Sequence, residues 1–148
     1  MGGKRSQARQ YALQALYQWQ LSGQAVGDIE AQFLEKEALA KSDVGLFVGL
    51  LRGVSGDTKV LDSTLDPLLS RPISQVDPVE LAVLRIGVFE LLNHGDIPYR
   101  VVIDEAVELA KVFGADQSHR FVNGVLDKLA PSLRPLEIGT GANKPRVG

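Results

Sequence analysis

The sequence has no cysteine, a single methionine, a single tryptophan and two histidines, and aromatic residues make up only 6% of its 148 positions. Without cysteine there is no disulfide framework, thiolate metal site or thiol nucleophile, and this suits a reducing compartment. Neither His94 nor His119 stands at metal-ligand spacing from other donors. His94, beside Gly95, reads as a solvated loop residue, and His119 as a surface or capping residue. No phosphate-binding glycine loop and no nucleophile elbow is present. Glu105 and Glu108 come nearest to a carboxylate pair, but at helical spacing they read as a solvated face or as ion-pair partners of Lys111 and Arg100. No enzyme, cofactor or metal is therefore expected. No apolar run approaches the roughly 20 residues that span a bilayer, and residues 1–9 are polar where a signal peptide has its apolar middle. A cytoplasmic protein with no membrane association is expected.

What is present is ordinary for a globular chain: 45% hydrophobic and 23% charged residues, enough to bury a core in one domain or in two small subdomains sharing one. The net charge of −2 argues weakly against a polyanionic partner, but phosphates are bound by local patches rather than by bulk charge. Lys4, Arg5 and Arg9 cluster near the amino terminus, and no acidic residue precedes Asp28. That asymmetry is a first sign of a polyanion at one end.

Apolar spacing reads as helix almost throughout. Ala8, Tyr11, Ala12, Ala15, Leu16 and Trp19 share one face of a first helix ended by Gly23 and Gly27. Asp28 can cap a short second helix carrying Ile29, Phe33 and Leu34. Ser42 or Asp43 can start a long third helix, striped by Val44, Phe47, Val48, Leu51, Val54, Thr58, Leu61 and Leu65 and closed by Asp66-Pro67. The segment Ser70-Arg71-Pro72-Ile73-Ser74-Gln75 lacks periodicity and marks a subdomain boundary. Asp77-Pro78 opens a fourth helix with Val79, Ala82, Val83, Ile86 and Phe89 on one face, ended by His94-Gly95-Asp96. Pro98 suits the first turn of a fifth, striped by Val102, Ile103, Ala106, Ala110 and Phe113, with Gly114 as its C-terminal cap. Asp116 or Ser118 begins a sixth that buries Phe121, Val122, Val125, Leu126 and Leu129 and is stopped by Pro131.

The fold class expected is all-α, two small three-helix bundles packed together, over residues 1–70 and 71–135, with a disordered tail at 136–148. Gly45, Gly49 and Gly53 lie roughly opposite the third helix's apolar stripe. Their face is either a tolerated, helix-weakening surface or a self-association face. Gly124, poorly suited to a helix interior, is assigned to a close helix–helix approach.

Several segments together resemble the NusB family: Ala15-Leu16-Tyr17-Gln18-Trp19-Gln20-Leu21, Ala82-Val83-Leu84-Arg85-Ile86, Phe89-Glu90-Leu91, Ile97-Pro98-Tyr99, Asp104-Glu105-Ala106-Val107-Glu108-Leu109-Ala110-Lys111 and Phe121-Val122-Asn123-Gly124-Val125-Leu126-Asp127. Each is weak alone; their order and spacing carry the match. The resemblance implies a factor that pairs with NusE, a small-ribosomal-subunit protein. The pair would bind boxA-type single-stranded RNA and, with other Nus factors and RNA polymerase, suppress termination in ribosomal RNA operons. A protein-only helical adaptor and a detached RNA-modification accessory domain are the rival classes.

Single-stranded RNA is held by cations on phosphates and by aromatic groups against splayed bases. The first helix offers Lys4, Arg5 and Arg9, with Tyr17 about two turns beyond Arg9. Tyr17 lies off the core stripe and either meets RNA or packs under a loop. The resemblance places Phe113, Gln117 and Phe121 near RNA, although core burial explains the two phenylalanines equally well. Gln117 departs from the acidic residue found there in some relatives. The resemblance puts Glu80 at the NusE interface, while an acid in the first turn also suits the helix dipole. Arg85 reads as a structural cation paired with a carboxylate such as Glu105.

Overall fold

The computed structural model describes residues 3–139. It is all-helical, with no strand among the described residues. Eight α-helices follow in order: α1 Lys4–Ser22, α2 Val26–Leu34, α3 Glu37–Ala40, α4 Val44–Gly56, α5 Thr58–Leu65, α6 Pro78–Asn93, α7 Tyr99–Phe113 and α8 Ser118–Leu133. Short 3₁₀ turns at Asp66–Leu68 and Ile73–Gln75 cross the segment read as a break.

The helix starts follow local chemistry. The Asp43 carboxylate accepts from the Leu46 N–H at 3.0 Å and begins α4. The Asp77 carboxylate accepts from the Val79 and Glu80 N–H groups, with Pro78 in the first turn, and begins α6. Gly23, at φ 74°, turns the chain left-handed out of α1. Asp28 lies in the first turn of α2, where it suits the dipole, while Ala25 occupies the cap.

The helix expected from Asp43 to Leu65 is two helices. The Asp57 N–H folds back on the carbonyls of Gly53 and Val54, and the Thr58 hydroxyl donates to the carbonyls of Val54 and Ser55. Glycine at 56 and these competing bonds end the first helix. With the single turn of α3, the N-terminal half therefore has five helical segments where three were expected. At the other end Pro131 does not stop α8, which continues to Leu133. Residues 136–139, expected to open a disordered tail, belong to a π-helical turn, Pro135–Gly139. The rest of that tail lies outside the described residues.

The centre of the molecule is α6. All of residues 81–91 are buried, because α1, α4, α5, α7 and α8 surround this helix. A helix covered on every side carries no single apolar stripe, so the one-face reading of α6 was too narrow. One continuous apolar core joins both halves of the chain through it. Close approach is made by glycines other than the one expected. A Cβ at Gly53 would overlap the Phe89 ring, and one at Gly87 would press on Leu126. Gly124 is exposed, with nothing within 4 Å of where its Cβ would stand. The packing account of Gly124 is thus replaced. Gly53 also leaves the open face assigned to it together with Gly45 and Gly49.

These two glycines should behave oppositely. Gly53→Ala gains helix propensity but must displace the Phe89 ring, and is expected to lose about 1–2 kcal/mol net. Gly124→Leu should be neutral or gain up to about 1 kcal/mol. Urea denaturation of both variants checks this; a marked loss at Gly124 with none at Gly53 would reverse the packing picture.

Candidate nucleic-acid interface

The residues singled out from sequence separate into four places. Lys4 and Arg5 stand exposed in the first turn of α1. Lys4 makes no side-chain ion pair among the described residues, and Arg5 only a loose one, 3.9 Å from Asp43. Tyr17, 39% exposed, and the half-buried Phe113 line one groove of about 470 Å³ with Leu13, Gln14, Gln18, Phe33 and Val79. This juxtaposition of α1, α6 and the end of α7 leaves both aromatic rings partly exposed. Each is packed on one side and open on the other. Phe121, also half-buried, lies on the outer face of α8 with Arg120, Gly124 and Lys128. Gln117 forms the turn between α7 and α8.

Arg9 is a correction. It is 2% exposed, and its guanidinium is engaged inside the protein. Nε donates to Oε2 of Glu90 at 2.8 Å and Nη2 to Oε1 at 2.9 Å, while Glu105 lies 3.6 Å away. At 3.6 residues per turn Arg5 and Tyr17 point about 120° apart. With Arg9 buried between them, the cationic ribbon expected along α1 is broken. One edge of α1 is instead marked by the exposed Gln7 and Gln14 and the half-buried Gln10 and Gln18, which with Lys4 and Tyr17 share an arc of about 140°, the Gln18 amide donating to Gln24 and Gln32. Amide side chains both donate and accept, so this edge can meet base edges without adding charge. Their spacing of three, four and four is present in the sequence, but glutamine carries neither the charge nor the aromatic ring that marks a nucleic-acid contact.

Two other assignments change. Arg85 pairs with Asp62 of α5, Nε to Oδ1 at 2.9 Å and Nη2 to Oδ2 at 2.8 Å, and also donates to Gln20 of α1. Glu105, expected as its partner or that of Lys111 or Arg100, accepts from the Ser6 hydroxyl at 2.9 Å instead. His94 is not a solvated loop residue. Its Nδ1 lies 3.2 Å from Glu90, and its ring meets Phe89 edge-on.

Glu80 is half-buried and accepts from the Ser118 hydroxyl at 2.6 Å. This bond ties the first turn of α8 to the first turn of α6. Gln117, just before it, sits at φ 79°, the one non-glycine residue with positive φ among those described. The first turn of α6 also divides two concavities. Val79 faces the Tyr17–Phe113 groove, while Pro78 and Leu81 face a second of about 480 Å³ that includes Trp19, Leu21, Ile73 and Val76.

Burial pushes the Glu90 carboxyl up, but hydrogen bonds from Arg9 and His94 and the Arg9 charge outweigh it and hold Glu90 below the ordinary value of 4.5. A lowered folded-state value means that the pair stabilises the fold above the usual carboxylate range. That stability is lost as pH falls through the lowered value. Arg9→Ala strands a buried carboxylate and should cost about 3–5 kcal/mol. It should also move acid unfolding to higher pH. Circular dichroism across a pH series measures both; an unchanged profile would mean that the pair is not coupled to folding.

The NusB family matches residues 6–131. The transcription antitermination protein NusB of Idiomarina loihiensis is 56% identical over 131 residues, spanning 88% of this chain and 94% of that protein. That of Nitrosococcus oceani is 52% identical over 147 residues, 99% of each. Among solved structures, T. maritima NusB superposes with a TM-score of 0.77 at 30% identity, over 88% of this chain and 92% of that one. The NusB of a crystal structure of antitermination factors NusB and NusE with dsRNA gives 0.77 at 26% identity, over 87% and 97%.

Proposed function

This chain belongs to the NusB family of transcription antitermination factors, and we propose that it pairs with NusE in the cytoplasm and binds boxA-type single-stranded RNA emerging from RNA polymerase. Through other Nus factors the pair would sustain transcription of ribosomal RNA operons. The reading carries no catalytic step. The observation that supports it most is the groove between Tyr17 and Phe113. Two aromatic side chains flank an apolar floor, Gln14 and Gln18 line the same groove, and the exposed cations of Lys4 and Arg5 stand at the start of the same helix. A splayed base can stack there while phosphates further along the strand meet the cations, about 18 Å away along α1. A solved relative holds NusE and RNA together, and this favours the same assembly over a protein-only adaptor.

Glu80 serves the protein partner on this reading. Its helix turn borders the second concavity, whose rim includes Leu21 at 58% exposure beside Trp19. An apolar depression with a tryptophan suits a protein surface better than a phosphate backbone.

Fluorescence anisotropy with labelled boxA-type RNA, with and without NusE and over a range of salt, tests the assignment. Lys4→Ala with Arg5→Ala should weaken binding and make the slope of log K against log salt shallower by about 1.4, since each lost phosphate contact to a single strand removes about 0.7. Tyr17→Ala should cost about 1–3 kcal/mol and leave that slope unchanged. NusE binding should survive all three changes. RNA binding indifferent to all of them would remove the site from α1 and its groove.

A further inference from the structure

Past α8 the chain is strapped to the start of α7. The Arg134 guanidinium donates to the carbonyls of Leu91 and Ile97 and pairs with Glu137. The other Glu137 oxygen accepts the Tyr99 N–H at 2.9 Å and so caps α7, whose own cap residue, Pro98, offers no side-chain acceptor. Ile138 packs on the apolar core. The outer face of α7 that begins at this point is uncovered. Val101, Asp104, Glu108 and Val112 fall within an arc of about 80° at 3.6 residues per turn. All four are exposed, the valines at 42% and 53%. Neither carboxylate is ion-paired or hydrogen-bonded through its side chain among the described residues, although Asp104 feels the charge of Arg100. Arg100, held by Tyr99 and Asp127, and Lys111 flank the face on one side.

We propose that this face is the docking surface for residues 140–148 of the same chain, which continue the strap along α7 from its first turn toward its last. Continuity, reach and charge select this occupant. Glu137 and Ile138 deliver the chain to the first turn of α7. From there Lys144 can reach up to about 20 Å in an extended chain, while Asp104 and Glu108 lie about 7.5 and 13.5 Å from Tyr99 along the axis. The charged residues of 140–148 are Lys144 and Arg146, and no acid follows Glu137. Residues two apart in an extended chain lie on one side, about 6.6 Å from each other. That matches the rise of about 6 Å between Asp104 and Glu108, and Pro145 disfavours helix at Lys144. Like charges four apart on a helix repel, and the docked cations remove that repulsion. In this register position 148 comes beside Val112. The inference goes beyond the RNA-binding reading and does not depend on it.

The chain has no cysteine, so Gly148→Cys carries a single nitroxide spin label. Paramagnetic broadening of backbone amide signals in the full chain then reports where position 148 lies. At low salt the amides of residues 108–113 should lose signal selectively, and high salt should return it. Lys144→Glu with Arg146→Glu should abolish the loss, and so should Asp104→Lys with Glu108→Lys. All four changes together restore opposite charges and should bring the loss back. Broadening spread evenly over the surface, centred on another face, or unmoved by either charge reversal would overturn the proposal. A mixed sample, with the spin label on one set of chains and the isotope on another, identifies a second copy as occupant. Broadening of α7 in that sample would place the segment on a neighbouring molecule and overturn the proposal as well.

Discussion

Burial of α6 on every side is the constraint on which the rest of the structure depends. A helix in that position satisfies its backbone internally, but its polar side chains and its last carbonyls must be answered from elsewhere. Three arginines supply the answers from or to three different elements. Arg9 of α1 meets Glu90. Arg85 of α6 reaches Asp62 of α5 and Gln20 of α1. Arg134, beyond α8, donates to the carbonyls of Leu91, Ile97 and His94 at 2.7–2.9 Å, with Glu90 further off at 3.3 Å. Arg134 thus takes the place of a C-terminal cap for α6 and fixes where the chain goes after α8. A buried pair is costly in desolvation, and breaking it leaves an uncompensated charge. Arg9–Glu90 and Arg85–Gln20 both fasten α1 to α6 and so hold the angle at which α1 lies across the core.

That angle is what makes the groove. Tyr17 and Gln14 come from α1, Val79 from the first turn of α6 and Phe113 from the last turn of α7. None of these helices could place its residue correctly without the others. The Arg9–Glu90 pair therefore bears on the proposed site at a distance, by holding the helix that carries Tyr17 and Gln14. A binding surface mounted on packed helices rather than on loops is set before ligand arrives, which limits the ordering entropy lost on binding. The Glu80–Ser118 bond does the same at the α7–α8 corner, where it anchors the residue that follows Gln117 and its positive φ.

Much of this was legible in the sequence, and the failures have physical causes. Periodicity gave the helical class, and the signals at Asp43 and Asp77-Pro78 gave two helix starts, because caps are local. The break at Asp57 was missed because the apolar stripe continues across it: Val54, Leu61 and Leu65 are all buried, so the pattern cannot reveal a change of direction. Arg9 and Arg85 were seen as cations but not given their partners, since Glu90 and Asp62 lie 81 and 23 residues away. Nothing in one sequence selects them over Glu105. Gly124 and Gly53 were interchanged for the same reason: a glycine shows that a side chain is absent, and only the neighbouring helix shows whether the space is used. Among the proposed site residues, the partial exposure of Tyr17 was legible from its place off the core stripe. The glutamine edge beside it was missed because it carries no charge.

The pairing pattern also explains how a chain with a net charge of −2 can face a polyanion. Arg9, Arg52, Arg85 and Arg134 are closely matched with Glu90, Glu30, Asp62 and Glu137, and Arg100 more loosely with Asp127. Matched charges nearly cancel at a distance, so they contribute little to the field a strand would meet. Among the described residues the cations outside these pairs are Lys4, Lys36, Lys41, Lys59, Arg71, Lys111, Arg120 and Lys128, with Arg5 only loosely held by Asp43, and they are spread over the surface. Cations spread in this way do not concentrate charge on the groove, and electrostatic binding falls steeply with salt. On the proposed reading uncharged contacts therefore carry a large share: stacking on Tyr17 and Phe113, and amide bonds from the glutamine edge. It follows that a protein partner adding its own cations beside Glu80 would raise affinity more here than on a strongly basic factor, and that two weak binders can be made into one selective pair.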